Sequence, residues 1–272
     1  MTSDSSLPVV CCDLDGVVWR GEEPVPGAAD GVARLRGAGI RVGFVTNNSS
    51  ATTADVVARL ARSGVPAGPD DVITSAHAAA ALLAASHPAG STVLACSGPG
   101  VEEALAARGF RVVAEGPADA VVVGWHRTFD FERLHRASAA VRDGARFVAT
   151  NLDATYPVAG GLLPGNGALV AAVATAAGRR PEVAGKPEAA MVALVHERLG
   201  ARGVVVGDRP STDGALAAAL GWPFALVLSG VTSGDGEAGG ERVPDPPPRW
   251  VAADLGELAD SLRTELRVER SA

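Results

Sequence analysis

The chain of 272 residues is 47% hydrophobic and 20% charged, a balance that suits a globular protein of one large or two ordinary domains with a real core. Its formal net charge of -7 argues against nucleic acid or an anionic membrane surface as the main partner, and no apolar run is long enough to cross a bilayer. Three cysteines, two of them adjacent, and five histidines supply neither a disulfide framework nor zinc-ligand spacing. Met1 to Ser6 does not read as a secretory signal, so a reducing, cytoplasmic setting is expected.

Val9-Val10-Cys11-Cys12 is an apolar run too short for a helix, and it reads as a strand buried on both faces. It ends in Asp13-Leu14-Asp15-Gly16. In an open parallel sheet, ligands bind outside the carboxyl ends of the strands. Two acids there can hold a hard cation, or share the roles of nucleophile and proton carrier; a plain strand-end turn uses Asp as readily. Residues 17–27 are turn-rich. Ala28 to Arg36 has helical spacing, and Gly37 and Gly39 stop it. Ile40 to Val45 is a second buried strand, ending in Thr46-Asn47-Asn48-Ser49-Ser50 before a helix from Thr53 to Arg62. That cluster is either an anion site at a helix N-terminus or an extended capping segment.

Val72 to Ser75 reads as a short strand. From Ala76 onward, Ala-rich helices (Ala76 to Ser86, Val101 to Arg108, Phe131 to Arg142) alternate with strands (Thr92 to Ala95, Phe110 to Val113, Ala120 to Val123, Arg146 to Ala149) that end without acids. Residues 79–180 therefore read as an inserted second domain, within a core made of 1–78 and 181–272. Asn151 to Asn166 reads as a loop, long enough to suggest function, and Gly167 to Ala177 as a helix. Gly203 to Gly207 is a strand ending in Asp208, with Asp213 ahead of an Ala-rich helix to Leu220. Phe224 to Leu228 is a strand ending in Ser229-Gly230-Val231-Thr232, and Ser233 to Pro248 is rich in Gly and Pro and expected to be mobile surface. Trp250-Val251 and a helix from Asp254 to Arg267 complete an α/β fold, a doubly wound parallel sheet with an inserted α/β domain.

If the acid-bearing strands are parallel neighbours, Asp13, Asp15, Asp208 and Asp213 meet along one edge. Carboxylates gathered there repel unless a cation lies between them, and an oxygen-only donor set favours Mg²⁺ over zinc. Lys186 is the only lysine among 24 basic residues and stands in Ala184-Gly185-Lys186-Pro187. It is either a required compact ammonium or a surface lysine left by an Arg-rich composition. With Thr46 and Asn47 it would offer donors and positive charge to an anionic ligand, a combination suited to phosphoryl transfer.

Asp13-Leu14-Asp15-Gly16-Val17, Val45-Thr46-Asn47, Gly185-Lys186-Pro187 and Gly207-Asp208 through Thr212-Asp213 resemble, in order, the four motifs of the haloacid-dehalogenase superfamily. Asp13 to Gly27, Phe44 to Ser49 and Ser229 to Thr232 are similar to its para-nitrophenyl phosphatase branch, subfamily IIA. That branch includes NagD-like, pyridoxal-phosphate, phosphoglycolate and glycerol-3-phosphate phosphatases. The resemblance implies a Rossmann-like core, a cap inserted between the second and third motifs, and Mg²⁺-dependent hydrolysis of phosphate monoesters of small metabolites. It implies Asp13 as nucleophile forming an aspartyl-phosphate and Asp15 as general acid and base. Asp13, Asp15 through its carbonyl, and Asp208 would hold Mg²⁺, with Asp213 orienting them or ligating as well. Thr46, Asn47 and Lys186 would bind the phosphoryl oxygens, with Asn48, Asn151, Asp153 and Tyr156 reaching the rest of the substrate. Some pyridoxal-phosphate enzymes of the branch carry His where this chain has Tyr156, which counts against that substrate. His126 stands where relatives often carry an acid. The resemblance also allows a homodimer through the cap, a phosphomutase on the same core, or a non-catalytic binder of phosphorylated metabolites.

Overall fold

The computed structural model describes residues 9–158, 161–232, 241–244 and 247–268. In chain order its first elements are β1 (Val9–Cys12), β2 (Trp19–Arg20), β3 (Glu23–Pro24), α1 (Ala28–Gly37), β4 (Val42–Thr46), α2 (Thr53–Arg62) and β5 (Val72–Thr74). There follow α3 (Ser75–Ala84), β6 (Thr92–Cys96), α4 (Pro99–Ala107), β7 (Arg111–Val113), β8 (Ala120–Val123), α5 (Phe131–Arg142) and β9 (Arg146–Ala149). A hairpin of β10 (Thr155–Val158) and β11 (Gly161–Pro164), α6 (Asn166–Ala177), β12 (Glu182–Val183) and α7 (Ala189–Leu199) come next. The chain closes with β13 (Gly203–Gly207), α8 (Ala215–Leu220), β14 (Phe224–Val227), β15 (Trp250–Ala252) and α9 (Leu255–Val268).

Two compact units emerge, one of residues 1–45, 57–72 and 195–272 and one of 46–56 and 73–194. The first is built on a six-stranded sheet of order β15-β14-β13-β1-β4-β5. β1 lies at its centre, parallel to β13 on one side and β4 on the other. All four residues of β1 are buried, as an unbroken apolar run requires of a strand covered on both faces. Helix α1 packs closely on α9: a Cβ on Gly31 would stand 2.6 Å from the Leu255 carbonyl, so the glycine permits the approach. Arg34 ties the same pair of helices together through Asp260 at 2.6 Å. Ser233 to Pro248, expected to be mobile, lies largely outside the described residues.

The second unit carries a five-stranded sheet of order β12-β9-β8-β6-β7, parallel throughout. Its core gathers Leu94, Val121, Val123, Phe147, Val170 and Val173 between the sheet and helices α5 and α6. Local signals set the helix starts. Thr74 caps α3 reciprocally with His77, and Asp130 accepts from the Arg133 N–H at 2.8 Å to start α5. Cys96 is buried here, and burial pushes its thiol up to about 12; Cys11 and Cys12 are buried as well, and all three pack as small side chains in the core.

Two segments depart from expectation. Asn151 to Asn166 is not an irregular loop, because Thr155 to Pro164 forms the antiparallel β10-β11 ribbon. Pro157 and Pro164 argue against a strand in the interior of a sheet, but a two-stranded ribbon is all edge, where a missing N–H is tolerated. The turn-rich stretch after Gly16 likewise contains a small hairpin, β2 with β3. Leu105, fully buried on α4, tests the second unit's core. Leu105→Ala is expected to cost ~2–5 kcal/mol, seen in urea unfolding as a lower midpoint at an unchanged slope.

Candidate active site

In the first unit the acids converge. Asp13 follows β1 and Asp208 follows β13; the two strands are parallel neighbours with Cys12 opposite Val206, and the Asp13 N–H donates to the Val206 carbonyl at 2.9 Å. Asp213 sits in a one-turn π-helix, Pro210–Gly214, which folds back over the end of β13. Among the described residues, Asp13, Asp208 and Asp213 form a group whose ligand oxygens lie within 4.8 Å of one another. All three are buried, with 8%, 2% and 1% exposure.

Glycines make this crowding possible. A Cβ on Gly230 would stand 1.8 Å from Asp208 Oδ2, one on Gly16 2.3 Å from the same oxygen, and one on Gly207 2.3 Å from the Asp213 carboxylate. Gly16 also has φ +88, a turn conformation glycine adopts without strain. The Ser229-to-Thr232 loop locks Asp208 further. The Val231 N–H donates to Oδ2 at 2.6 Å, while the Ser229 hydroxyl donates to the Gly16 carbonyl at 2.7 Å. The Asp213 carboxylate accepts from the Arg209 N–H at 3.1 Å. Three buried carboxylates, two of them fixed by main-chain donors, with no sulfur or imidazole in the group, fit a hard divalent cation. The side chain of Asp15 lies outside this group. It is half-buried and accepts from the Trp19 indole N–H at 3.0 Å.

In the second unit Asn47 is a hub. Its Oδ1 accepts from the Lys186 N–H at 2.8 Å, and its Nδ2 donates to the Lys186 carbonyl and to Asp153 at 3.3 Å each. Its own carbonyl accepts from Asn151 Nδ2 at 2.7 Å and from the Ser75 hydroxyl at 2.6 Å. Gly185 permits this, since a Cβ there would stand 2.5 Å from Asn47 Oδ1 and 2.4 Å from the Thr150 carbonyl. Lys186 is buried, between β12 and α7. The Thr46 hydroxyl accepts from the Asn48 N–H, and Asn48 Oδ1 from the Ser50 N–H, each at 3.0 Å, so the cluster after β4 shapes its own turn. Tyr156 on the ribbon stacks on Trp125 with centroids 4.7 Å apart, and its hydroxyl accepts from Asn48 Nδ2 at 3.4 Å.

His126 turns inward. Its Nδ1 faces the Gly124 carbonyl at 2.9 Å, its ring meets Phe129 edge-on, and burial lowers its pKa. Trp19, Ser75, Trp125 and the Val231 N–H were not singled out from the sequence. Only the Ser-Gly-Val-Thr run after an apolar strand hinted at the last of them.

The family of haloacid dehalogenase-like hydrolases matches residues 10–111, and a HAD-hydrolase-like family matches residues 183–258. A D-glycerol 3-phosphate phosphatase of Mycobacterium tuberculosis is 41% identical over 249 residues, covering 90% of this chain and 69% of the relative.

The chain belongs to the haloacid dehalogenase-like hydrolases.

Within that family an acid sugar phosphatase of Staphylococcus saprophyticus is 35% identical, covering 92% of this hydrolase and 96% of the relative. The crystal structure of the M. tuberculosis glycerol phosphate phosphatase in complex with magnesium superposes with a TM-score of 0.83 at 40% identity, covering 93% of this chain and 76% of that one. A p-nitrophenyl phosphatase from Archaeoglobus fulgidus superposes at 0.84 with 29% identity, covering 94% and 100%. The hydrolase's carboxylate group gives a direct test. Gly230→Ala drives a methyl into Asp208, and is expected to weaken divalent-cation binding ~10–100-fold, measured by isothermal titration calorimetry with Mg²⁺.

Proposed function

We propose that this chain is a Mg²⁺-dependent phosphatase that hydrolyses phosphate monoesters of small metabolites through an aspartyl-phosphate on Asp13. The observation that carries the reading is the buried group of Asp13, Asp208 and Asp213, with a second acid, Asp15, two residues beyond the first. When bound, Mg²⁺ neutralises the carboxylates and the phosphoryl oxygens, so that an anionic nucleophile can approach an anionic ester.

The chain's own residues supply the rest. An Asp13 oxygen forms a bond to phosphorus as the bond from phosphorus to the ester oxygen breaks. Asp15, protonated, gives its proton to that departing oxygen. Asp15, now ionised, takes a proton from water, the water oxygen bonds to phosphorus, and the bond to Asp13 breaks to release inorganic phosphate. The Thr46 hydroxyl, the Asn47 segment and the Lys186 ammonium bind the phosphoryl oxygens as charge shifts in the transition state. Asp208 and the Asp15 carbonyl join Asp13 in holding the metal, and Asp213 orients them. Residues 1–78 and 181–272 act as the catalytic core and residues 79–180 as the substrate-selecting cap.

For the substrate, we favour polyol and sugar phosphates, as the names of the relatives suggest. Asp153 offers a carboxylate to substrate hydroxyls, with Asn48, Asn151 and Tyr156 contributing beside it. No helix of the described residues is long and apolar enough to cross a membrane, and three buried cysteines fit the expected reducing, cytoplasmic setting. Dimerisation through the cap belongs to the same reading.

With para-nitrophenyl phosphate, turnover is expected to require Mg²⁺, to stop with chelator, and to fall at least ~10⁴-fold in Asp13→Asn; near-normal turnover by that variant removes the nucleophile assignment. Lys186→Arg keeps the charge and changes its shape, and kcat is expected to drop ~10–100-fold. Across a panel of phosphorylated metabolites, Asp153→Ala should raise KM for glycerol 3-phosphate ~10-fold. An unchanged KM there would move substrate selection to other cap residues.

A further inference from the structure

The Asp15 side chain has a partner that the reaction as described does not use. The Trp19 indole N–H donates to Asp15 Oδ1 at 3.0 Å. The indole is itself held on several sides. Trp19 is 3% exposed, its main-chain N–H donates to the Leu14 carbonyl at 3.2 Å, and its main-chain carbonyl accepts from the Gly16 N–H at 2.7 Å. Its strand pairs with the next, Trp19 opposite Pro24. The Arg59 guanidinium, from α2, lies over the ring at 4.1 Å and also donates to the Gly21 carbonyl in the turn of the same hairpin.

From this geometry we infer that Trp19, clamped by Arg59, is a positioning residue that fixes the carboxylate of Asp15 for proton transfer to the departing oxygen. The inference rests on the reading of Asp15 as general acid and base. A carboxylate on a turn can rotate about two torsions, and each misplaced orientation delays proton transfer. A donor on a rigid, buried ring selects one plane for the group, which is how supporting residues commonly preorganise a catalytic side chain. Phe or Tyr at position 19 could fill the space and stack beneath Arg59, yet neither carries a donor where the indole nitrogen lies. The hairpin after Gly16 thus has a chemical task in addition to closing the chain.

The test uses leaving groups of different basicity. An alkyl phosphate such as glycerol 3-phosphate needs its departing oxygen protonated; para-nitrophenyl phosphate needs this far less. Because kcat/KM reports the steps up to release of the alcohol, the ratio of the two values isolates the acid. Three variants are compared with the wild type at saturating Mg²⁺: Trp19→Phe, Trp19 replaced by 3-benzothienylalanine, and Asp15→Asn. The benzothienyl side chain keeps the shape and stacking of indole and lacks the N–H, so it answers the question even if Trp19→Phe folds poorly. Both Trp19 variants are expected to lower the alkyl-to-aryl ratio at least ~5-fold, in the direction of Asp15→Asn and short of it. An equal loss on both substrates, or none, with the benzothienyl variant overturns the inference while a ratio that falls in Asp15→Asn keeps Asp15 as the acid. A ratio unchanged in Asp15→Asn removes the acid assignment, and the role of Trp19 falls with it.

Discussion

Mutual repulsion among Asp13, Asp208 and Asp213 is the constraint on which the rest depends. Their oxygens lie within 4.8 Å of one another, and at an effective dielectric constant of ~20 each ionised pair at that distance costs about 3–4 kcal/mol. Burial adds a desolvation cost to every charge. Asp13 and Asp208 at the ends of two paired strands, with Asp213 in the turn beyond β13, form a group that suits a hard cation. A metal held there would meet an anionic substrate at one sheet edge, the setting that in-line phosphoryl transfer needs.

Holding that arrangement falls largely to the backbone. Gly16, Gly207 and Gly230 each leave room where a methyl would collide with Asp208 or Asp213. The Val231 and Arg209 N–H groups then fix the orientation of those carboxylates. Fixing by main-chain donors costs little conformational entropy, because the loops are already ordered by the strands that end in them.

The second unit follows another principle. Its polar residues are organised around Asn47, whose side-chain amide joins Lys186 and Asp153 and whose main-chain carbonyl accepts from Asn151 and Ser75. A buried amide satisfied this fully is rigid, and removing a partner would leave polar atoms uncompensated. Lys186 is thereby held through its own main chain, so the lone lysine of the sequence sits on a fixed backbone. Tyr156 and Trp125 stack on the β10-β11 ribbon, which converts an apparently irregular stretch into a defined surface.

Much was legible in the sequence. Apolar runs four to five residues long, each ending in acids, hydroxyls or amides, specify buried parallel strands and place chemistry at their ends, because burial on both faces forbids polar residues anywhere else along them. Helices α2 and α5 were legible residue by residue, α2 also from a hydroxyl residue available as its N-cap. The β10-β11 ribbon was not, since two prolines outweigh a pattern that only edge pairing makes permissible. Nor was the Trp19 contact with Asp15, which depends on how a turn of four residues folds back. The sequence by itself determined which residue types stand at which strand ends, as a consequence of periodicity and burial. Only the tertiary structure decided which of the acids share one dry group, because strand order and the glycine-made clearances between loops are properties of the packed sheet.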